Sequence, residues 1–130
     1  MNALLTGIYT IYLTTNTFRT ACTGGLWLEE APQGTSLPYA AYTLVTGRPE
    51  YIFHGHDEVA TIQFDLYAAT NATRQDLYTK LTALFDDCRP TVTGYRSIIM
   101  ERQFQQMLRA GDQDSVYRYI VDYEVRIEKA

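Results

Sequence analysis

The stretch Glu58–Ala68, EVATIQFDLYA, narrows most what this chain can fold into. Ala60, Ile62, Phe64, Leu66 and Ala68 fall on one side of a period-two pattern, and Val59, Thr61, Gln63, Asp65 and Tyr67 on the other. Such alternation, rich in β-branched and aromatic side chains, describes a strand with one dry face. Ser115–Glu128 alternates as clearly, with Tyr117, Tyr119, Val121, Tyr123, Val125 and Ile127 set against Arg118, Asp122, Glu124, Arg126 and Glu128. Two long half-buried strands need neighbours and a layer over the dry face, which points to an α+β domain.

The rest of the chain supplies both. Asn2–Asn16 predicts a helix: Leu4, Ile8, Ile11 and Tyr12 share a stripe, with Leu5 and Tyr9 beside it and Asn2 as a possible cap. Gly7 costs this helix up to ~1 kcal/mol against Ala. A strand over Ile8–Thr15 is the alternative, with poorer alternation. Thr17–Ser36 is irregular, with the breaker Gly24-Gly25, the short apolar run Leu26-Trp27-Leu28, and turn chemistry from Glu29 to Gly34. Trp27 reads as a piece of core or a rim anchor. Pro38 stiffens the entry to a strand over Tyr39–Thr46. Thr73-Arg74-Gln75-Asp76 fits a capping-box variant. It opens a helix bearing Leu77, Leu81, Leu84, Phe85 and Cys88 on one side and ended by Arg89-Pro90. Tyr95–Leu108 reads as a further strand with Ile98, Met100, Phe104 and Leu108 inward and Arg102 an intruder at that parity. The expected fold is a four-stranded, mainly antiparallel sheet with two helices packed on one face. The order is α-β-β-α-β-β, in a single domain over residues 1–130.

Chemistry is sparse. The net charge of −4 lacks the clustered Lys and Arg that phosphate binding needs. Arg102 and Arg109 could touch phosphate, but Asp112 and Asp114 beside them argue against a basic groove. No GxSxG or Walker loop occurs. Cys22 and Cys88 stand in no CxxC spacing, and without a secretory signal pattern both are expected as free thiols in the cytoplasm, where the protein is made, with a disulfide between them as the alternative. No apolar run reaches the ~20 residues that cross a bilayer. His54-Gly55-His56-Asp57 is the one constellation resembling a site, yet a metal would need a further ligand and no third His exists. It reads as a polar loop. Asp86-Asp87 reads as a solvated pair at a helix C-terminus. No catalytic, metal or cofactor residue is therefore expected. Gly47–His56 reads as a ten-residue connection carrying Arg48, Tyr51, Phe53, His54 and His56. It either folds back on its own domain or packs against a partner, and the second reading makes these five residues a candidate interface.

Ala31-Pro32-Gln33-Gly34, Pro38-Tyr39-Ala40-Ala41-Tyr42, Thr61–Ala68 and the Leu77/Leu81/Leu84 helix together resemble the tail-completion, or tail-terminator, proteins of long-tailed bacteriophages and prophages. The resemblance runs from the first helix through the last strand. It implies a structural virion protein at the head–tail interface, assembled in the host cytoplasm and without enzymatic activity or a membrane. Its partners would be copies of itself in a ring, usually a hexamer, together with the tail tube protein and the head connector. DNA would pass through the lumen without specific binding, which suits an acidic chain. A head-closure or minor tail protein of the same architecture is the alternative. A metal- or small-ligand-binding enzyme using His54, His56 and Asp57 is a more distant one.

Overall fold

Glu58–Ala68 forms most of the central strand of a five-stranded sheet. The computed structural model describes residues 2–52, 55–109 and 116–129. The elements run α1 (Asn2–Tyr12), α2 (Thr17–Ala21), β1 (Leu26–Leu28), β2 (Tyr39–Ile52), β3 (Gly55–Ala68), α3 (Asn71–Phe85), β4 (Tyr95–Arg109) and β5 (Tyr117–Lys129). The strand order is β1-β2-β3-β5-β4, antiparallel throughout except for the parallel β1–β2 pair.

The dry faces read from the sequence are the core. Ala60, Ile62, Phe64, Leu66 and Ala68 on β3, and Tyr119, Val121, Tyr123, Val125 and Ile127 on β5, are all buried. They meet Leu4, Ile8 and Tyr12 of α1 and Leu77, Leu81 and Phe85 of α3 in one cluster on one face of the sheet. Each large side chain so buried contributes roughly 1.5–3 kcal/mol. The opposite face carries no helix among the described residues.

Several expectations are corrected. The sheet has five strands, because Leu26-Trp27-Leu28 pairs in parallel with Ala40-Ala41-Tyr42. Three residues are too few for periodicity to reveal, and the partner lies across an irregular segment. A short third helix, α2, precedes it; Asn16 is its N-cap, accepting from the Arg19 N–H at 2.7 Å. The ten-residue connection is instead the end of a hairpin, paired out to Ile52↔Gly55, with a register shift between Leu44 and Thr46 absorbing the odd residue. α1 stops at Tyr12, short of Asn16. The cap of α3 is Thr70, accepting from the Thr73 N–H at 3.1 Å, so Thr73 lies inside the first turn. Asp76 pairs with Lys80 at 2.9 Å. The helix closes at Asp86 and reverses through Asp87 at φ 57°, before Pro90 is reached.

The inward face of β4 also changes. Met100 is buried, but β4 shifts register against β5 between Ser97 and Ile99 and again between Arg102 and Phe104. Beyond it Gln105 and Met107 stand opposite the inward Val121 and Tyr119, and Phe104 falls on the helix-free face opposite Asp122. The side chains of Ile98 and Leu108 lie outside the described residues.

Gly7 has a use that helix propensity hides. A Cβ there would stand 2.4 Å from the Thr91 carbonyl oxygen, so the missing side chain lets α1 lie against the segment after α3. In an isolated helix Gly→Ala gains up to ~1 kcal/mol. Here Gly7→Ala is expected to lower stability by ~1–3 kcal/mol, because backbone has to move. Thermal denaturation followed by circular dichroism reads the sign.

Candidate functional site

The β2–β3 hairpin positions the sequence candidates. Tyr51 lies directly opposite His56, and Arg48 opposite Val59 three pairs further down. The register thus gathers Arg48, Tyr51 and His56 at one end of the sheet. Phe53 and His54 lie outside the described residues, as do the side chains of the other three. Among the described residues no three His, Cys, Asp or Glu side chains stand together as a metal site.

A polar network lies under the sheet. The Tyr123 hydroxyl donates to Asp86 Oδ1 at 2.6 Å, and Arg102 Nη2 stands 3.3 Å from Asp86 Oδ2. Arg102 also donates to the Tyr78 hydroxyl, and the Tyr78 ring stacks on Tyr119 at 4.2 Å. Arg102 is thus no intruder: it reaches over Tyr123 to tie β4 to the end of α3. Asp86, expected to be solvated, is the acceptor at its centre. Burial, and then the Asp86 carboxylate, push the Tyr123 phenol well up, so it acts as a donor and never as a base. Burial pushes the Cys22 thiol up to about 12, which removes it as a nucleophile at neutral pH. Both cysteines are free.

The helix-free face is polar and acidic in its middle. Asp65 on β3, Asp122 and Glu124 on β5 and Glu101 on β4 share it, with Glu101 directly opposite Glu124. Arg118 Nη2 donates to Asp65 Oδ1 at 3.0 Å and lies over the Tyr67 ring at 5.6 Å. Asp122 Oδ1 is buried without a hydrogen-bond partner among the described residues. Burial, and then the charge of Asp65, push its carboxyl up from the usual value of 3.8. A raised folded-state value means that ionised Asp122 costs stability above that value and costs nothing when protonated in acid. Asp122→Asn is therefore expected to raise stability modestly at pH 7, the gain fading as pH falls toward 3. Urea melts at both pH values check this.

The two outer margins of the sheet are the third feature. β1 covers β2 only at Ala40–Tyr42, so β2 has no outer neighbour from Thr43 onward among the described residues. On the other margin, Met100 exchanges backbone hydrogen bonds with Asp87 and Cys88, and among the described residues β4 has no outer neighbour from Glu101 to Arg109. Trp27, Leu28, Val45, Phe104 and Met107 stand exposed along these margins. Nothing in the residue pattern singles out Phe104 and Met107 as exposed, since a bulge decides which way each points.

Comparison with known proteins agrees with this geometry. The model of the family described as tail completion protein gp17 matches residues 8–128. No curated protein matches the chain in sequence. Among solved structures, a chain in the virion of a native gene transfer agent particle superposes with a TM-score of 0.79 at 12% identity. The match covers 93% of this chain and 91% of that one, a likeness of fold. The family match over nearly the whole length leads to one conclusion: this chain belongs to the tail completion protein gp17 family, structural proteins of phage tail assembly.

Proposed function

We propose that the chain is a tail terminator: it forms a closed ring, six-membered as the family resemblance implies, that caps the tail tube and offers the head connector its docking surface. Family membership over residues 8–128 carries this reading. The sheet supports it, because open margins on opposite sides let each copy meet two neighbours through two different surfaces, which is how a ring closes. The helix-free face suits a lumen. Its carboxylates, including Glu101 directly opposite Glu124, repel phosphate, so DNA slides past without being held. The hairpin end with Arg48, Tyr51 and His56 then lies at one rim, facing the tube or the connector.

Purified protein, followed by light scattering across a concentration series and imaged by negative stain, tests this. Rings of one fixed subunit number are expected. Open filaments of variable length would contradict it.

A further inference from the structure

We infer that neighbouring copies join margin to margin, β4 of one copy running antiparallel to the β1–β2 margin of the next. Phe104 and Met107 seat against Trp27, Leu28 and Val45. This rests on the ring reading and names the contact that closes it.

Three observations on the sheet point to a second copy as the occupant. The first is where exposed apolar surface lies. Tyr9, Leu13, Trp27, Leu28, Val45, Phe104 and Met107 are the large hydrophobic side chains that are 37–49% exposed among the described residues. Phe104 and Met107 lie on β4, Trp27, Leu28 and Val45 on β1 and β2, and Tyr9 and Leu13 on the α1 groove beside β1. Both outer strands of the sheet therefore carry apolar patches.

The second is that the patches match face by face. Phe104 stands opposite Asp122 on the helix-free side, and Trp27 stands opposite Ala41, whose other neighbour Asp65 is also on that side. Met107 stands opposite Tyr119 on the covered side, where Leu28 stands opposite Tyr42. On that covered side Leu28, Tyr9, Leu13 and Tyr42 line a groove of about 610 Å³, wide enough for a methionine side chain. Joining the margins sets Phe104 beside Trp27 and Val45 and sends Met107 into the groove.

The third is height. One line of register runs Met107–Tyr119–Leu66–Ala40–Leu26 across all five strands. Three residues along, another runs from Phe104 through Asp122 and Gln63 to Thr43, one residue past the partner of Leu28. The two patches are therefore level on opposite sides of the sheet. A head-to-tail contact between level patches can close without rise, whereas offset patches would wind a filament. Strand direction fits as well. β4 is antiparallel to β5, β5 to β3 and β3 to β2, so β4 is antiparallel to β2 and to β1. The open margin of β4 from Glu101 to Arg109 is about 30 Å long, and unpaired edges of that length template pairing with another chain.

Two double variants test this, one for each margin: Phe104→Glu/Met107→Glu and Leu28→Glu/Val45→Glu. Trp27 is spared because its indole N–H bonds the Gly24 carbonyl at 2.8 Å. Each variant is expected to keep the circular dichroism of the parent and to weaken self-association by ~100-fold or more, as charges placed in a contact centre do. Mixed in equal amounts, the two should form a dimer and stop there, since each still offers one intact margin. Parent-sized rings in either variant would overturn this contact and leave the ring reading standing. Dimers of Leu28→Glu/Val45→Glu alone would show that β4 pairs with itself, which also overturns it. A parent protein that never self-associates removes the ring reading and the contact together. Should a glutamate variant misfold, the pair Leu28→Cys/Met107→Cys replaces it. Mild oxidation is then expected to give a covalent ladder ending at the ring number, and absence of a ladder from intact rings would overturn the contact.

Discussion

Phe64→Ala is expected to cost ~3–5 kcal/mol, the largest single loss in the chain. Phe64 is fully buried at the middle of the central strand. Its ring lies 4.8 Å from Phe85 of α3, 5.8 Å from Tyr123 of β5 and 6.3 Å from Tyr42 of β2. Truncation leaves a cavity where three strands and a helix meet, so the neighbours cannot collapse into it without moving the sheet. Denaturant unfolding should show the midpoint falling steeply with the slope unchanged. Rings, where they form, should be lost in proportion to the unfolded fraction. The margin variants differ in this respect, because they lose association while their unfolding midpoint stays near the parent's.

The second large effect comes from Gly24→Ala. A Cβ at Gly24 would stand 2.1 Å from the Ser36 carbonyl oxygen and 2.7 Å from both the Pro38 carbonyl oxygen and the Tyr39 Cβ. The Gly24 N–H donates to that same Pro38 carbonyl at 2.7 Å. All three obstacles belong to the strand entry of β2, so no side-chain rotation relieves them. The chain must part there, and β1 is held to β2 by only three residues. The expected loss is ~2–4 kcal/mol, concentrated at this margin. Hydrogen exchange should show Leu26–Leu28 and the facing Ala40–Tyr42 amides losing protection before the β3–β5 amides do. Uniform loss across the sheet would contradict this local account.

Legibility followed the length of the pattern. β3, β5 and α3 each bury many residues at a fixed period, so their inner faces could be read from the residues, although Leu84 and Cys88 proved only half-buried. α1 was legible through Leu4, Ile8 and Tyr12. What escaped depended on partners far away in sequence. Leu26-Trp27-Leu28 becomes a strand only because Ala40–Tyr42 comes to lie beside it. The bulge between Arg102 and Phe104 is set by the pairing of β4 with β5, and one extra residue turned Phe104 outward. Arg102 is an intruder by parity alone, and only Asp86 and Tyr78, distant in sequence, account for its place. The stretch holding Arg48, Tyr51 and His56 reads in sequence as a connection, yet Gly47, Pro49 and Gly55, turn formers elsewhere, here extend a ladder. For the same reason the margins that carry the proposed contact could not be picked from composition.

The central claim is that this chain works by shape alone, ending the tube and joining it to the head. The most direct measurement is electron microscopy of particles assembled with this chain absent, scored for tail length and attachment. The account predicts tails that overrun their normal length or stand unattached beside intact heads, restored when the chain is supplied. Tails of normal length beside heads that have leaked their DNA would contradict it and assign the chain to head closure instead.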